Sequence, residues 1–592
     1  MKHLCILFLL LTPLPLLAAD RPNILWITSE DNGAHWLGCY GNAQAQTPNL
    51  DAMAANGIRF QNAYSNAPVC AVARSTLLRG AYATTTGTQH MRSSYPVEER
   101  FVPYVTSLRE AGYYCTNAKK TDYNAKMKDR DLWDSCGKNA HYRKRKDKDQ
   151  PFFAIFNIET SHESSLFPYK KPEPNEQLPP EKVIVPPYLP DLPEIRSDIA
   201  VYHRIIGILD GQVGGILKEL EEQGHAEDTI VFYYSDHGGV LPRGKRYLKD
   251  TGLKVPMIVH FPEKWAHLSP FKAGSAPEEP VAFVDLAPTL FSLLGIDIPE
   301  QMQGRPFLGK KREQAAKDEM EFLFGDRFDE IVGMRRGLTD GRWKYIRRFT
   351  PHIPAAPYSF YQFSQDGWVA YYKAWKEGKL KPEHARIWES PQPVEELFDT
   401  QSDPWEIHNL AGDPAHAERL KSMREALKQR MIETRDTGLI PESMFKDYSG
   451  KDPISKAFAR YENLPALVEL AFAASSGDPA VLPKLVEKLK SEDMLTRYWA
   501  THGFMVLGKK AKGAEEALIP MTEDPVDGIR IAAGHALHLM GHDHAEFLRG
   551  LIDRRGNDMA QLAVTNSLWV LGLEGGFPKK LTDKMIGGKD DK

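Results

Sequence analysis

Cysteine is scarce in this chain, with five in 592 residues. Cys5 lies in an apolar N-terminal run. The other four, Cys39, Cys70, Cys115 and Cys136, are too few for a disulfide scaffold, although a Cys115–Cys136 bridge stays open in an oxidising compartment. A surplus of one charge sign is also missing. Lys and Arg number 75 against 79 Asp and Glu, a formal net charge of −4, so the basic footprint of a nucleic-acid-binding protein is absent. Past the N-terminus no apolar run is long enough to cross a bilayer. Composition shows no disorder-prone bias, and the length predicts two or three domains.

The N-terminus predicts a leader. Met1-Lys2-His3 precedes an apolar run from Leu4 to Leu17, interrupted by Pro13 and Pro15, and then Ala18-Ala19-Asp20. A basic start, a short apolar centre and small residues describe a secretory signal peptide over residues 1–19, and hence a secreted or periplasmic protein. Cys5 has no small-residue lipobox before it.

Asn23–Thr28 is a short apolar run ending in acids, which reads as a buried parallel strand. Similar runs recur at Phe152–Ile158, Ile230–Tyr234 and Val255–His260, with helical stretches between, as at Val201–Gln223 and from Thr47 to Gly57. Alternation of this kind predicts an α/β domain over 20–300, with a mainly parallel central sheet flanked by helices. Functional residues then gather beyond the carboxyl ends of the strands. The tail has a different pattern. Asp493–Gly508, Asp524–Gly541 and Asn557–Gly572 are Ala/Leu-rich segments, each closed by Leu-Gly or Met-Gly at spacings in the low thirties. Such a period predicts an all-α, HEAT-like solenoid over 451–592.

Seven segments carry chemistry. Pro68-Val69-Cys70-Ala71-Val72-Ala73-Arg74 places a lone thiol four residues before an arginine, one helical turn away on the same face. Glu30-Asp31 follows the first strand, and adjacent carboxylates there are tolerable if a hard divalent cation neutralises them. Tyr233-Tyr234-Ser235-Asp236-His237-Gly238 is a strand ending in Asp-His-Gly. Pro242–Leu248 concentrates Arg243, Lys245 and Arg246, and Gly112–Asp122 brings Lys120. His162 follows the Phe152–Ile158 run, and an imidazole titrating near neutrality can protonate a leaving group. Gln89-His90-Met91-Arg92, close in sequence to the thiol, supplies His90 and Arg92 as candidate pocket residues.

Taken in order over residues 21–435, these segments resemble the type I, formylglycine-dependent sulfatases of the alkaline-phosphatase-like superfamily. The resemblance implies that a maturation enzyme oxidises Cys70 to formylglycine, whose hydrated aldehyde attacks a sulfate sulfur. It implies Glu30, Asp31, Asp236 and His237 at a Ca²⁺ or Mg²⁺ ion, with His237 either a ligand or a donor beside it. Arg74 would offset developing negative charge, Lys120 and Lys245 would hold the sulfate with Arg243 or Arg246 beside them, and His162 would protonate the leaving alcohol. Three positions depart from the family pattern: Val72 replaces proline or alanine, Glu30 replaces the usual aspartate, and Asp122 stands where many members have histidine. A small α+β C-terminal subdomain is implied over 301–450. Its strands are Trp343–Arg347 and Glu396–Asp399, and its amphipathic helix is Ala415–Thr434.

The expected activity is hydrolysis of sulfate esters on sulfated glycans, with sugar choice set by loops around Gly325–Glu330 and Tyr358–Trp375. A phosphonate or phosphodiester hydrolase of the same superfamily is one alternative. A non-catalytic glycan-binding protein is the other. The expected partners are a sulfated carbohydrate and the maturation enzyme, with protein or glycan contact through the helical tail.

Overall fold

Along Asn23–Ser29 polar and apolar residues do not alternate, because both faces of this strand are covered. In the computed structural model, which describes residues 21–313, 319–552 and 557–573, Ile24 and Trp26 enter one core and Leu25 and Ile27 the other, as the two-residue strand period requires. The expected signal peptide lies outside the described residues. This strand, β1, is the centre of a seven-stranded sheet. It pairs in parallel with β6 (Phe152–Ile158) and with β7 (Thr229–Ser235). β4 (Tyr114–Ala118) and β5 (Ser135–Cys136) extend one side in parallel, while β8 (Met257–His260) and β2 (Ile58–Arg59) close the other antiparallel. The order is β2-β8-β7-β1-β6-β4-β5. A two-stranded ribbon joins β3 (Ala63–Tyr64) to β9 (Val281–Ala282).

Two element boundaries differ from the sequence expectation for local reasons. β8 begins at Met257, after Pro256, whose missing N–H cannot join a ladder. The helix expected from Val201 starts at Pro193, proline being well suited to a first helical turn. Cys115 and Cys136 are both free thiols. The β4/β5 register sets Asn117 beside Cys136, so Cys115 is two residues out of step with it.

A second, antiparallel sheet runs β10 (Glu321–Gly325), β11 (Arg335–Thr339), β12 (Trp343–Arg348) and β13 (Glu395–Asp399), and the helix Ala417–Glu433 packs on it. In the tail, the helices Leu464–Ala474, Met494–Leu507, Asp527–Met540 and Asp558–Val570 pack each against the next. Gly508, Gly541 and Gly572 follow the last three with φ of 52°, 109° and 72°, the left-handed exit that glycine makes cheap. The tail does not stand apart. One apolar core joins Val69 and Val72, on either side of Cys70, to Phe322 and Tyr345 of the second sheet and to Trp499 and Phe504 of the tail. Among the described residues no helix is long and apolar enough to cross a membrane.

Candidate active site

Four adjacent strands of the central sheet release their chains toward one point. β1 delivers Glu30 and Asp31, β7 delivers Asp236 and His237, β6 delivers His162 and Glu163, and β4 leads to Lys120. Facing them is the ten-residue helix Cys70–Arg79, all of whose residues are buried, ended by Gly80 at φ 59°. Cys70 is the first residue of this helix and 1% exposed. The unpaired amides and dipole there favour negative charge.

The Cys70 Sγ lies 3.2 Å from His237 Nε2 and 3.7 Å from Asp31 Oδ1. His237 Nε2 is 2.7 Å from Asp31 Oδ1 and 3.8 Å from Asp236 Oδ1. One ligand atom from each of Asp31, Cys70, Asp236 and His237 lies within 4.8 Å of the others, and all four residues are buried. Asp31 adopts φ 49°, a conformation costing about 1–3 kcal/mol for a residue with a Cβ. It is held there at both ends of its peptide: its N–H donates to Asp236 Oδ1 at 3.1 Å and its carbonyl accepts from the Tyr202 hydroxyl.

Cations surround this acidic centre. Arg74 Nε donates to Asp236 Oδ2 at 3.1 Å and its Nη1 to Asn157 Oδ1 at 2.8 Å, one helical turn past Cys70. Lys245 Nζ is 2.9 Å from Asp31 Oδ2 and 3.3 Å from Glu163 Oε2. Lys120 Nζ is 3.0 Å from Glu30 Oε2. The balance sets the protonation states. Burial works against the Asp31 carboxylate, but Lys245 and His237 outweigh it and hold the acid well below its usual range. Burial would lower His237, yet Asp31 and Asp236 lift it to about 10. Glu30 is pushed up to about 7 by burial, against the pull of Lys120. Burial and the neighbouring Lys245 keep His162 well below the ordinary imidazole range.

The sequence profile described as Sulfatase matches residues 22–116 and 104–296, and an ulvan-active sulfatase of Formosa agariphila is 36% identical over 475 residues, covering 72% of this chain and 77% of that protein. The chain belongs to the sulfatase family. It is a sulfuric ester hydrolase. A second profile, N-sulphoglucosamine sulphohydrolase C-terminal, matches residues 243–368. The human N-sulphoglucosamine sulphohydrolase is 24% identical, covering 71% of this chain and 92% of its own. In fold, the sulfatase is similar to a solved 2-O GAG sulfatase with a TM-score of 0.52 at 18% identity, covering 75% and 98% of the two chains.

Not every expected residue of the sulfatase reaches the cluster. Arg92 does, feeling the charges of Asp122, Asp329 and Cys70. His90 instead packs on Phe445, with Nδ1 3.5 Å from Glu442 Oε2. Arg243 lies 4.3 Å over the Tyr188 ring and donates to the carbonyls of Trp405 and Glu406, so the structure gives it an anchoring place. Glu163 is a residue that sequence reasoning passed over. Its N–H donates to Asp31 Oδ2 at 2.7 Å, and its carboxylate accepts from Arg246 at 2.7 and 3.1 Å. Arg246 Nε in turn reaches Asp329 Oδ2 at 2.6 Å. The only local signal for Glu163 was its place beside His162 on a strand-end loop.

The donor set fits a hard divalent cation. Carboxylate oxygens predominate, and buried Glu30 Oε1 has no hydrogen-bond partner. His237 Nδ1 lies 2.9 Å from the Gly238 carbonyl, so Nδ1–H donates there and Nε2 faces the cluster, where a bound cation would replace the proton that Asp31 and Asp236 otherwise hold on it. A pH effect follows from Glu30. Its value in the fold, about 7, stands above the ordinary 4.5. Its contribution to stability is therefore complete below the unfolded value and is lost as pH rises through the folded one. A cation offsets that loss only where the acid is ionised. Added Ca²⁺ is expected to raise Tm more at about pH 8 than at about pH 5.5, and Glu30→Gln to shrink the difference. Equal shifts at both pH values in the unsubstituted enzyme would contradict the assignment.

Proposed function

We propose that this sulfatase removes sulfate from sulfated glycans, with Cys70 in its formylglycine form and a Ca²⁺ or Mg²⁺ ion held by Asp31, Asp236 and His237 together with Glu30. The observation that carries the reading is the convergence of a helix-terminal thiol, three acids and an imidazole at one sheet edge, ringed by Arg74, Lys120 and Lys245. The relatives named for ulvan and for N-sulphoglucosamine support the substrate class. When present, the ion polarises a sulfate oxygen and the aldehyde hydrate supplies an oxygen nucleophile.

The chain's own side chains do the rest. Lys120 and Lys245 present point charges to sulfate oxygens. Arg74 ties Asp236 to Asn157 and so fixes the acid relative to position 70. His162 Nδ1 accepts from the Ser164 N–H at 3.3 Å, leaving Nε2 to carry the transferable proton. Burial first, and then Lys245, Lys120 and Arg92, hold the free ring neutral; a sulfate bound among those cations would offset their part of the shift and favour a second proton at Nδ1, which would turn to the Ser164 Oγ 3.0 Å away. His162→Ala is accordingly expected to cost about 10²-fold or more in kcat on a sugar sulfate, whose alkoxide needs a proton, and far less on 4-nitrophenyl sulfate. Equal losses on both esters would remove the acid role. The reading as a whole is tested by sulfate release from a panel of defined sulfated saccharides.

The same reading extends to organisation. The catalytic unit ends near residue 300 and the second-sheet unit near 450, and the glycine-closed helices that follow form a HEAT-like repeat, open to protein or glycan contact. Export is supported by the composition of residues 1–19, and conversion of Cys70 requires a maturation enzyme that accepts Val72.

A further inference from the structure

Among the described residues large apolar side chains are seldom left in solvent, yet two aromatic ones are. Tyr169 is 75% exposed and Phe360 38%. They come from segments far apart in sequence, one after the His162 loop and one between β12 and the helix Asp366–Lys376; Tyr169 connects through Phe167 to Tyr361, and Phe360 precedes Tyr361 in the chain. A line of ring contacts leads outward from the site. His162 and Tyr361 have ring centroids 6.4 Å apart at 68°, Tyr361 and Phe167 5.0 Å at 69°, and Phe167 and Tyr169 5.9 Å at 56°. The inner end belongs to the catalytic centre. Burial raises the Tyr361 phenol, and Glu163, Lys245, Arg92 and Asp31 are the charges it feels.

The outer end is held rigidly. Phe167 is 2% exposed and its carbonyl accepts from the N–H groups of both Lys170 and Lys171 at 2.8 Å. Lys171 is fastened to Asp198 at 2.6 Å, and Pro168 and Pro172 stiffen the turn. Phe360 is fixed through its N–H, which donates to Glu330 Oε1 at 2.7 Å, and through ring contact with Tyr358 at 5.5 Å. Single exposed apolar residues need no explanation. An exposed aromatic joined by ring contacts to a candidate catalytic histidine, with Phe360 beside Tyr361 in the chain, offers a surface suited to the apolar face of a planar or ring-shaped ligand. Beside them, Lys170 Nζ stands 5.8 Å from the Tyr169 ring centroid and 3.3 Å from Ser164 Oγ, a cation at the ledge.

We propose that Tyr169, Tyr361 and Phe360 form a stacking subsite for the sugar ring next to the sulfated one, with Lys170 facing an anionic substituent on that ring. The substrate is then a sulfated oligosaccharide of at least two rings, and a lone sugar sulfate leaves the ledge empty. This inference rests on the glycan reading above. The test compares kcat/KM on a sulfated oligosaccharide and on 4-nitrophenyl sulfate in Tyr169→Ala, Tyr169→Trp and the unsubstituted enzyme. Tyr169→Ala is expected to lose about tenfold or more on the oligosaccharide, mostly through KM, while the aryl ester stays within about twofold and Tyr169→Trp restores the oligosaccharide rate. Full oligosaccharide activity in Tyr169→Ala, or equal losses on both substrates, overturns the subsite alone. An enzyme active on the aryl ester that releases sulfate from no saccharide overturns the glycan reading and the subsite with it.

Discussion

Cys70→Ala is expected to lower kcat/KM for every sulfate ester by at least about 10⁴-fold while leaving the fold intact. The size of the effect follows from position. The Cβ–Sγ arm enters the cluster from the first residue of the helix, 3.2 Å from His237 and 3.7 Å from Asp31, and no other thiol of the described residues joins it. Removing one buried sulfur costs about 1 kcal/mol of stability, and the neighbouring Ala71 and Ala73 already pack without larger side chains. Thermal unfolding should therefore shift by only a few degrees. Parallel assays on aryl phosphate and phosphonate esters show whether the same nucleophile serves those chemistries. Residual sulfate-ester hydrolysis within tenfold of the unsubstituted enzyme would remove Cys70 from the reaction.

Asp236→Asn is expected to cost about 10³-fold in kcat together with about 10–100-fold in divalent-cation affinity. The substitution preserves shape and removes one negative charge from a centre that binds Arg74 at 3.1 Å, accepts the strained Asp31 N–H at 3.1 Å and helps lift His237. Arg74 keeps Asn157 and, at 3.8 Å, Glu30, and meets a neutral amide in place of the Asp236 carboxylate, so some loss of stability accompanies the loss of rate. Titration calorimetry with Ca²⁺ and steady-state kinetics on one preparation separate the two effects. Unchanged cation affinity would take Asp236 out of the ligand set.

The parts of this site legible in the sequence were those whose chemistry is local. Glu30-Asp31 and Asp236-His237 directly follow an apolar strand and His162 comes four residues after one, so a reading of strands alone brings them to one sheet edge. Arg74 was legible because four residues make one helical turn. What stayed hidden was created by tertiary contact. The Glu163–Arg246–Asp329 chain joins three loops that share no motif. Arg243 sits two residues from Lys245 but leaves in another direction, since φ of 70° at Arg243 and 78° at Arg246 turn the backbone sharply there. The tail's periodic helices could be read from their closing glycines. Their docking could not, because it depends on tertiary contacts, a shared apolar core and single hydrogen bonds such as Arg347 Nη2 to the Phe472 carbonyl at 2.6 Å and His502 Nε2 to the Phe349 carbonyl at 2.7 Å.

The chemical state of position 70 decides the account. Mass spectrometry of the peptide containing Cys70, taken from protein made in a host with the maturation enzyme and shown to hydrolyse an aryl sulfate, is predicted to find an aldehyde in place of the thiol. An intact cysteine throughout a fully active preparation would contradict it.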